Sequence, residues 1–269
     1  MITDLIMEFE PQARSKVGEF FGIGKEHLRT QTPIKLTAKN GTGLADENGI
    51  LFNEQGLIRD LEKRASYGVK YAIPAEYVRG LVFEEVAHYL ERKHFGSRKY
   101  EKLMPFQQIL FGEMFGAFGI ALAGVLDKEI DYRKNDNRGL DKKLEYFIDK
   151  ELTDSQRCLD SYNDLESRLN PIEQIRLRKE KRIVKVSQDL LAKGNLGSYE
   201  AWRDFYSAVY PKREVYPGGS YNGLNVAYLY GRLLTENLLR NKEPVQPLLR
   251  LSYPQLEQKL TPTLMSVKL

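Results

Sequence analysis

Apolar positions recur at helical spacing along most of the chain, and the departures from that rhythm cluster near its beginning. The pattern predicts a helix over Asp4 to Phe21, interrupted near Pro11. The only strand-like runs follow, Pro33-Ile-Lys-Leu-Thr37 and Gly49-Ile-Leu-Phe52, separated by Lys39-Asn-Gly-Thr-Gly43, which carries turn chemistry. Asn53 is placed to cap a helix that runs to about Tyr67, where Gly68 stops it, and Pro74 opens the next. Beyond Pro74 the periodicity is helical almost throughout. It gives one helix to about Gly96, an apolar one from Pro105, two charged ones between Leu140 and Lys193, one around Tyr199 to Tyr210 and a last strong one from Tyr221 to Arg240. The junction of the two charged helices is marked by Asn170-Pro-Ile-Glu173, which offers a cap, a proline at the first helical position and an acid three residues after the cap; Gly194 ends the second.

These elements predict an α+β fold that is mainly α: a small N-terminal sheet packed on the helix 74–95, followed by a helical bundle carrying a charged helical hairpin. Three stretches are expected. They are 1–127 with the apolar helix 105–127, the hairpin region 128–196, and a C-terminal helical part, 197–269, that closes the core.

Ile109 to Leu126 approaches the length of a short membrane span and carries Gly112 and Gly116 at the spacing that lets helices approach closely. Glu113 within it argues for a buried core helix, so no membrane association is expected. A hydrophobic content of 42% beside 29% charged residues is that of an ordinary globular chain. The single cysteine, Cys158, allows no internal disulfide and fits a reducing compartment, so a cytoplasmic protein starting at Met1 is expected. The net charge of +4 is concentrated in Arg176 to Lys185, which reads as a solvated helix face; a nucleic-acid partner is not expected.

The chemistry lies in Pro74 to Gly96. On a wheel of about 100° per residue, Glu84 falls about 40° to one side of His88 and Glu85 about 60° to the other. The remaining central positions, Val82, Phe83, Val86, Ala87, Tyr89 and Leu90, are apolar, which marks a helix packed on several sides. Its polar face therefore points inward as well. Two carboxylates and an imidazole there need a metal ion, a shared proton, or an arginine such as Arg79 or Arg133 folding over them.

The segment LVFEEVAHYLERKH resembles the metal helix of zincin metallopeptidases, which carries His-Glu-x-x-His; here the matching residues are Glu84-Glu85-Val-Ala-His88. The resemblance places Glu85 at the general-base position and His88 at the second ligand position, with Glu84 where the first histidine would be. It implies a strand lining the substrate cleft, for which ILFNEQGL is the candidate. It also implies, as in the gluzincin branch, a glutamate ligand on the following helix. Glu113 stands 25 residues after His88 and is the only charge of its apolar helix. A late tyrosine-rich helix, YNGLNVAYLYGRLL, is similar to one that supplies an oxyanion-stabilising tyrosine, with Tyr221, Tyr228 and Tyr230 as candidates and Tyr228 as the catalytic choice.

The resemblance thus implies one divalent ion, zinc before iron or manganese, held by Glu84, His88 and Glu113, and a peptide or protein substrate. Exchanging an imidazole for a carboxylate adds negative charge around the ion and weakens it as a Lewis acid, so weak or absent hydrolysis is expected. Two other readings stay open: a metal-free scaffold of the same fold that acts by binding, and a ferritin-like di-iron protein built on Glu85-x-x-His88.

Overall fold

The computed structural model describes residues 2–37, 42–69, 71, 74–96, 105–136, 138–162, 169–209 and 224–267. Tyr221, most of the Lys39–Gly43 turn and the Tyr210–Gly219 loop lie outside the described residues. Among those described, eleven helices and one three-stranded sheet form, and the α+β, mainly α prediction holds.

Helix α1 (Ile2–Phe20) runs straight through Pro11, against the expected interruption. Pro11 is exposed, while Ile6, Ala13 and Val17 on either side of it are buried where α1 packs on α3. That continuous apolar stripe outweighs the ~3 kcal/mol a proline costs inside a helix. A short 3-10 helix (Lys25–Leu28) leads to β1 (Ile34–Leu36), β2 (Gly43–Asp46) and β3 (Gly49–Phe52). β1 pairs parallel to β3 and β2 pairs antiparallel to it, in the order β1-β3-β2, so β2 is an edge strand. The sequence pattern assigns no strand here: Gly43 closes the expected turn, and Leu44 to Asp46 carry no predicted element. The sign of β2 was the Asn48-Gly49 dipeptide, a hairpin signal, and Asp46 indeed accepts from the Asn48 and Gly49 amides at that turn.

Helix α2 (Glu54–Ser66) starts where Asn53 accepts the Gly56 N–H at 3.1 Å and ends before Gly68 in the left-handed conformation. α3 (Pro74–Phe95) is the centre of the molecule: apart from Arg79, every residue from Tyr77 to Glu91 is buried. It lies between α1, the sheet and α4 (Pro105–Leu122). The apolar helix stops at Leu122 rather than 127, because Gly124 takes a left-handed turn and α5 (Leu126–Asp136) sets off in a new direction.

Two glycines explain how close α3 and α4 come. A Cβ at Gly119 would overlap the Phe83 carbonyl, and one at Gly116 would overlap the His88 ring. No helix among the described residues is long and apolar enough to cross a membrane.

The hairpin is formed by α6 (Leu140–Tyr162) and α7 (Pro171–Lys193), with the predicted capping box at Asn170 and Glu173 and a left-handed Gly194. Leu177, Ile183, Ser187 and Leu190 turn inward from α7, and Arg176, Arg178, Lys181, Arg182 and Lys185 turn outward as a solvated face. α8 (Tyr199–Val209) and α9 (Leu224–Arg240) return to the core, where α9 packs along α4 and α5. Two further helices, α10 (Val245–Leu249) and α11 (Tyr253–Ser266), had not been predicted. The second carries its own start signal, since the Gln255 side chain accepts the Ser252 N–H at 3.0 Å.

Candidate metal centre

A cavity of about 510 Å³ lies between β2, α3, α4 and α9. α3 contributes Glu84 and His88 one turn apart, and both side chains are nearly closed off from solvent. α4 contributes Glu113, which comes within 3.9 Å of His88, from Oε1 to Nε2. Glu84, His88 and Glu113 each offer one ligand atom, and these atoms lie within 4.8 Å of one another, so the buried trio could hold a metal ion. Ligand atoms around a tetrahedral ion with bonds of ~2.1 Å stand about 3.4 Å apart, so side-chain rotations of about an ångström would close the set.

The donor chemistry also fits. Burial drives the His88 pKa down to about 3, helped by the cations Arg92 and Arg232, so its imidazole is neutral and keeps a lone pair for a metal. Six carboxyls and three guanidiniums line the cavity, an excess that favours a cation. Burial raises the Glu113 carboxyl to about 7, with Glu84 adding to the rise and Arg232 opposing it.

Arg79 and Arg133 are the arginines suggested by the sequence as one alternative to a metal ion or a shared proton, and the arginine that pairs with these carboxylates is Arg232 of α9. Its Nη2 donates to Glu84 Oε1 at 2.7 Å and its Nη1 to Glu113 Oε2 at 3.1 Å. Gly231 makes this possible, because a Cβ there would stand 2.8 Å from the Leu110 carbonyl and 2.9 Å from Glu113 Cβ. Behind Arg232, Glu129 Oε2 lies 3.9 Å from its Nε, and Glu129 Oε1 accepts from Arg64 Nη1 and Tyr71 Oη. Burial alone would raise Glu129, but Arg64 and Arg232 outweigh it and hold the carboxyl at about 2. Arg133 lines the cavity, and Arg79 does not.

Glu85 points to the other side, toward β2. A Cβ on Gly43 would fall 2.5 Å from its Oε1, and the Ala45 amide hydrogen-bonds to it. The Ala45 carbonyl accepts in turn from Arg92. Burial, then Glu84 and Glu113, raise the Glu85 carboxyl well above the usual carboxylate range.

Tyr228 lines the same cavity, and the guanidiniums of Arg133 and Arg232 lie 4.8 Å and 5.7 Å from its ring centroid. The charge of Glu113, then burial, raise its phenol, so it keeps its proton and can donate. Tyr230 is not at the site: it is fully buried, donates to the Gly197 carbonyl at 3.2 Å and meets Tyr199 edge to face. His27 and His94 face each other at 5.7 Å between ring centroids and bring nothing to the trio.

Sequence reasoning missed Arg232, Glu129 and the β2 backbone. The visible sign of Arg232 was a lone cation in the apolar run LYGRLL. No family model, curated protein or solved structure matches the chain.

Proposed function

We propose that the protein is a metal-dependent hydrolase of the zincin-like type, in which Glu84, His88 and Glu113 hold one divalent ion, zinc before iron or manganese. One observation carries this. Glu113, singled out by its position in an apolar helix, meets Glu84 and His88 inside the molecule with a ligand atom from each within 4.8 Å. An edge strand and a tyrosine, both implied by the same resemblance, border the same cavity, although the strand is β2 and not the ILFNEQGL segment.

When bound, the ion would polarise a carbonyl oxygen and acidify water. The chain's own part begins with Glu85, whose carboxyl is fixed between Gly43 and the Ala45 amide; once a bound cation favours its ionised form, it can take a proton from water and pass it to a leaving amine. Tyr228 keeps its phenolic proton and can donate a hydrogen bond to an oxygen that gains charge. Arg232 withdraws charge from both ligand carboxylates and so offsets part of the cost of having glutamate at position 84. A peptide or other amide is the substrate class, and weak turnover follows from the two-carboxylate ligand set.

Arg232 also favours a second reading. Because it already pairs Glu84 and Glu113, the cluster is satisfied without an ion, as a metal-free binding scaffold would require. Glu85→Gln tests the hydrolase directly. It should keep its metal while hydrolysis of a mixed peptide library falls by roughly 10²–10⁴-fold; turnover equal to wild type would remove Glu85 from the base role.

A further inference from the structure

Arg232 is only 1% exposed, yet it meets carboxylates from three helices: Glu84 of α3, Glu113 of α4 and Glu129 of α5. A guanidinium carries a permanent charge on a rigid planar fork, and here each prong engages a different candidate ligand. The oxygen of Glu113 that Arg232 does not take, Oε1, is the one 3.9 Å from His88 Nε2. The fork itself is backed by Glu129, which is held by Arg64 of α2 and by Tyr71. Five helices therefore converge on one buried chain of alternating charge. Two carboxylates this close in a dry interior repel each other and would favour separation or neutralisation unless a cation stood between them.

We propose that Arg232 is a built-in counter-cation. It pairs with Glu84 and Glu113 and holds them together when no metal is bound, and it presents them, oriented, to a divalent ion. The inference rests on the metal reading above and adds a consequence. The native fold is independent of metal because Arg232 supplies positive charge at this point, and removing Arg232 transfers that dependence to the ion. Arg232 is a positioning residue, since its contacts are with the ligands.

The experiment is thermal unfolding of the full-length chain with EDTA, then with saturating Zn²⁺ or Mn²⁺, for wild type, Arg232→Met and the triple variant Arg232→Met, Glu84→Gln, Glu113→Gln; zinc uptake is measured by calorimetry alongside. In EDTA, Arg232→Met should melt roughly 6–20 °C below wild type. Added cation should raise its Tm at least twice as far as it raises that of wild type. The triple variant, with the paired charges removed together, should recover most of the loss in EDTA. Should Arg232→Met not fold in EDTA at all, the triple variant still decides.

A deficit that neither the cation nor the triple variant relieves, in the presence of normal zinc uptake by wild type, would overturn the counter-cation role and leave the metal site standing. Failure of both wild type and Arg232→Met to take up zinc or manganese would instead overturn the metal reading, and this inference with it.

Discussion

His88 and Gly116 meet where α3 crosses α4, and there is no room between them for a methyl group: a Cβ on residue 116 would lie 2.4 Å from Nε2 and 2.6 Å from Cε1 of the imidazole. The absent side chain on one helix therefore fixes where the imidazole of the other can stand. Gly116→Ala would push the ring tip aside, because a side chain yields more readily than backbone. The expected result is a stability loss of about 1–3 kcal/mol with a large loss of metal affinity, read by denaturant melts and zinc titration. Gly119→Ala would strike the Phe83 carbonyl instead, and should cost more stability than Gly116→Ala because two helices must separate.

Gly43→Ala addresses Glu85 from the sheet. The added methyl would meet Glu85 Oε1 and Cγ, displacing the carboxyl from beneath β2. Metal content should be unchanged while turnover drops by roughly 10²–10⁴-fold, the range expected for loss of a general base. Loss of metal in this variant would mean that Glu85 supports the ligand cluster and not the reaction.

Restoring the two-histidine motif needs two changes. Glu84→His alone breaks the buried Arg232–Glu84 pair and should cost about 3–5 kcal/mol, seen as a fall in Tm. Combined with Arg232→Met, it removes that conflict and leaves a two-histidine, one-glutamate ligand set. The double variant should bind zinc more tightly than wild type; weaker binding would count against position 84 as a ligand.

The metal-free protein should respond to pH in a way these groups dictate. His88 and Glu129 have folded values of about 3 and about 2, below their ordinary ones, so each withdraws stability as pH falls, His88 from about 6.5 and Glu129 from about 4.5. Glu113 and Glu85 are raised, so their contribution is present below about 4.5 and is lost as pH rises, through about 7 for Glu113. Between pH 4.5 and 6.5 the opposite slopes of His88 and Glu113 cancel, and Glu85 makes stability decline with rising pH at roughly 1.4 kcal/mol per pH unit. Below pH 4.5 His88 and Glu129 act together, each at roughly 1.4 kcal/mol per pH unit. Tm in EDTA should therefore peak near pH 4.5–5, fall steeply on the acid side, and decline about half as steeply toward pH 8. A plateau from pH 5 to 8 would contradict this balance.

The central helix was legible in the sequence because it is apolar on every side of a three-residue polar patch, a pattern only a buried helix explains. The α6–α7 hairpin was legible from its caps, and Glu113 from its isolation in an apolar run. β2 was hidden because Leu44-Ala45 is too short to show alternation; only the Asn48-Gly49 turn betrayed it. Arg232 was hidden for a different reason. Periodicity says which face a residue takes on its own helix, and it cannot say which arginine from a helix 148 residues away will reach Glu84. Pro11 misled because the local cost of proline is visible in a sequence and the packing that offsets it is not.

Metal analysis of protein purified without a chelator or a histidine tag tests the central claim most directly. About one equivalent of zinc, iron or manganese is expected in wild type and in Glu85→Gln, and almost none in His88→Ala or Glu113→Ala that remain folded. Wild type without any of these metals, even after dialysis against zinc, would contradict the account; so would retention of the ion when His88 is replaced.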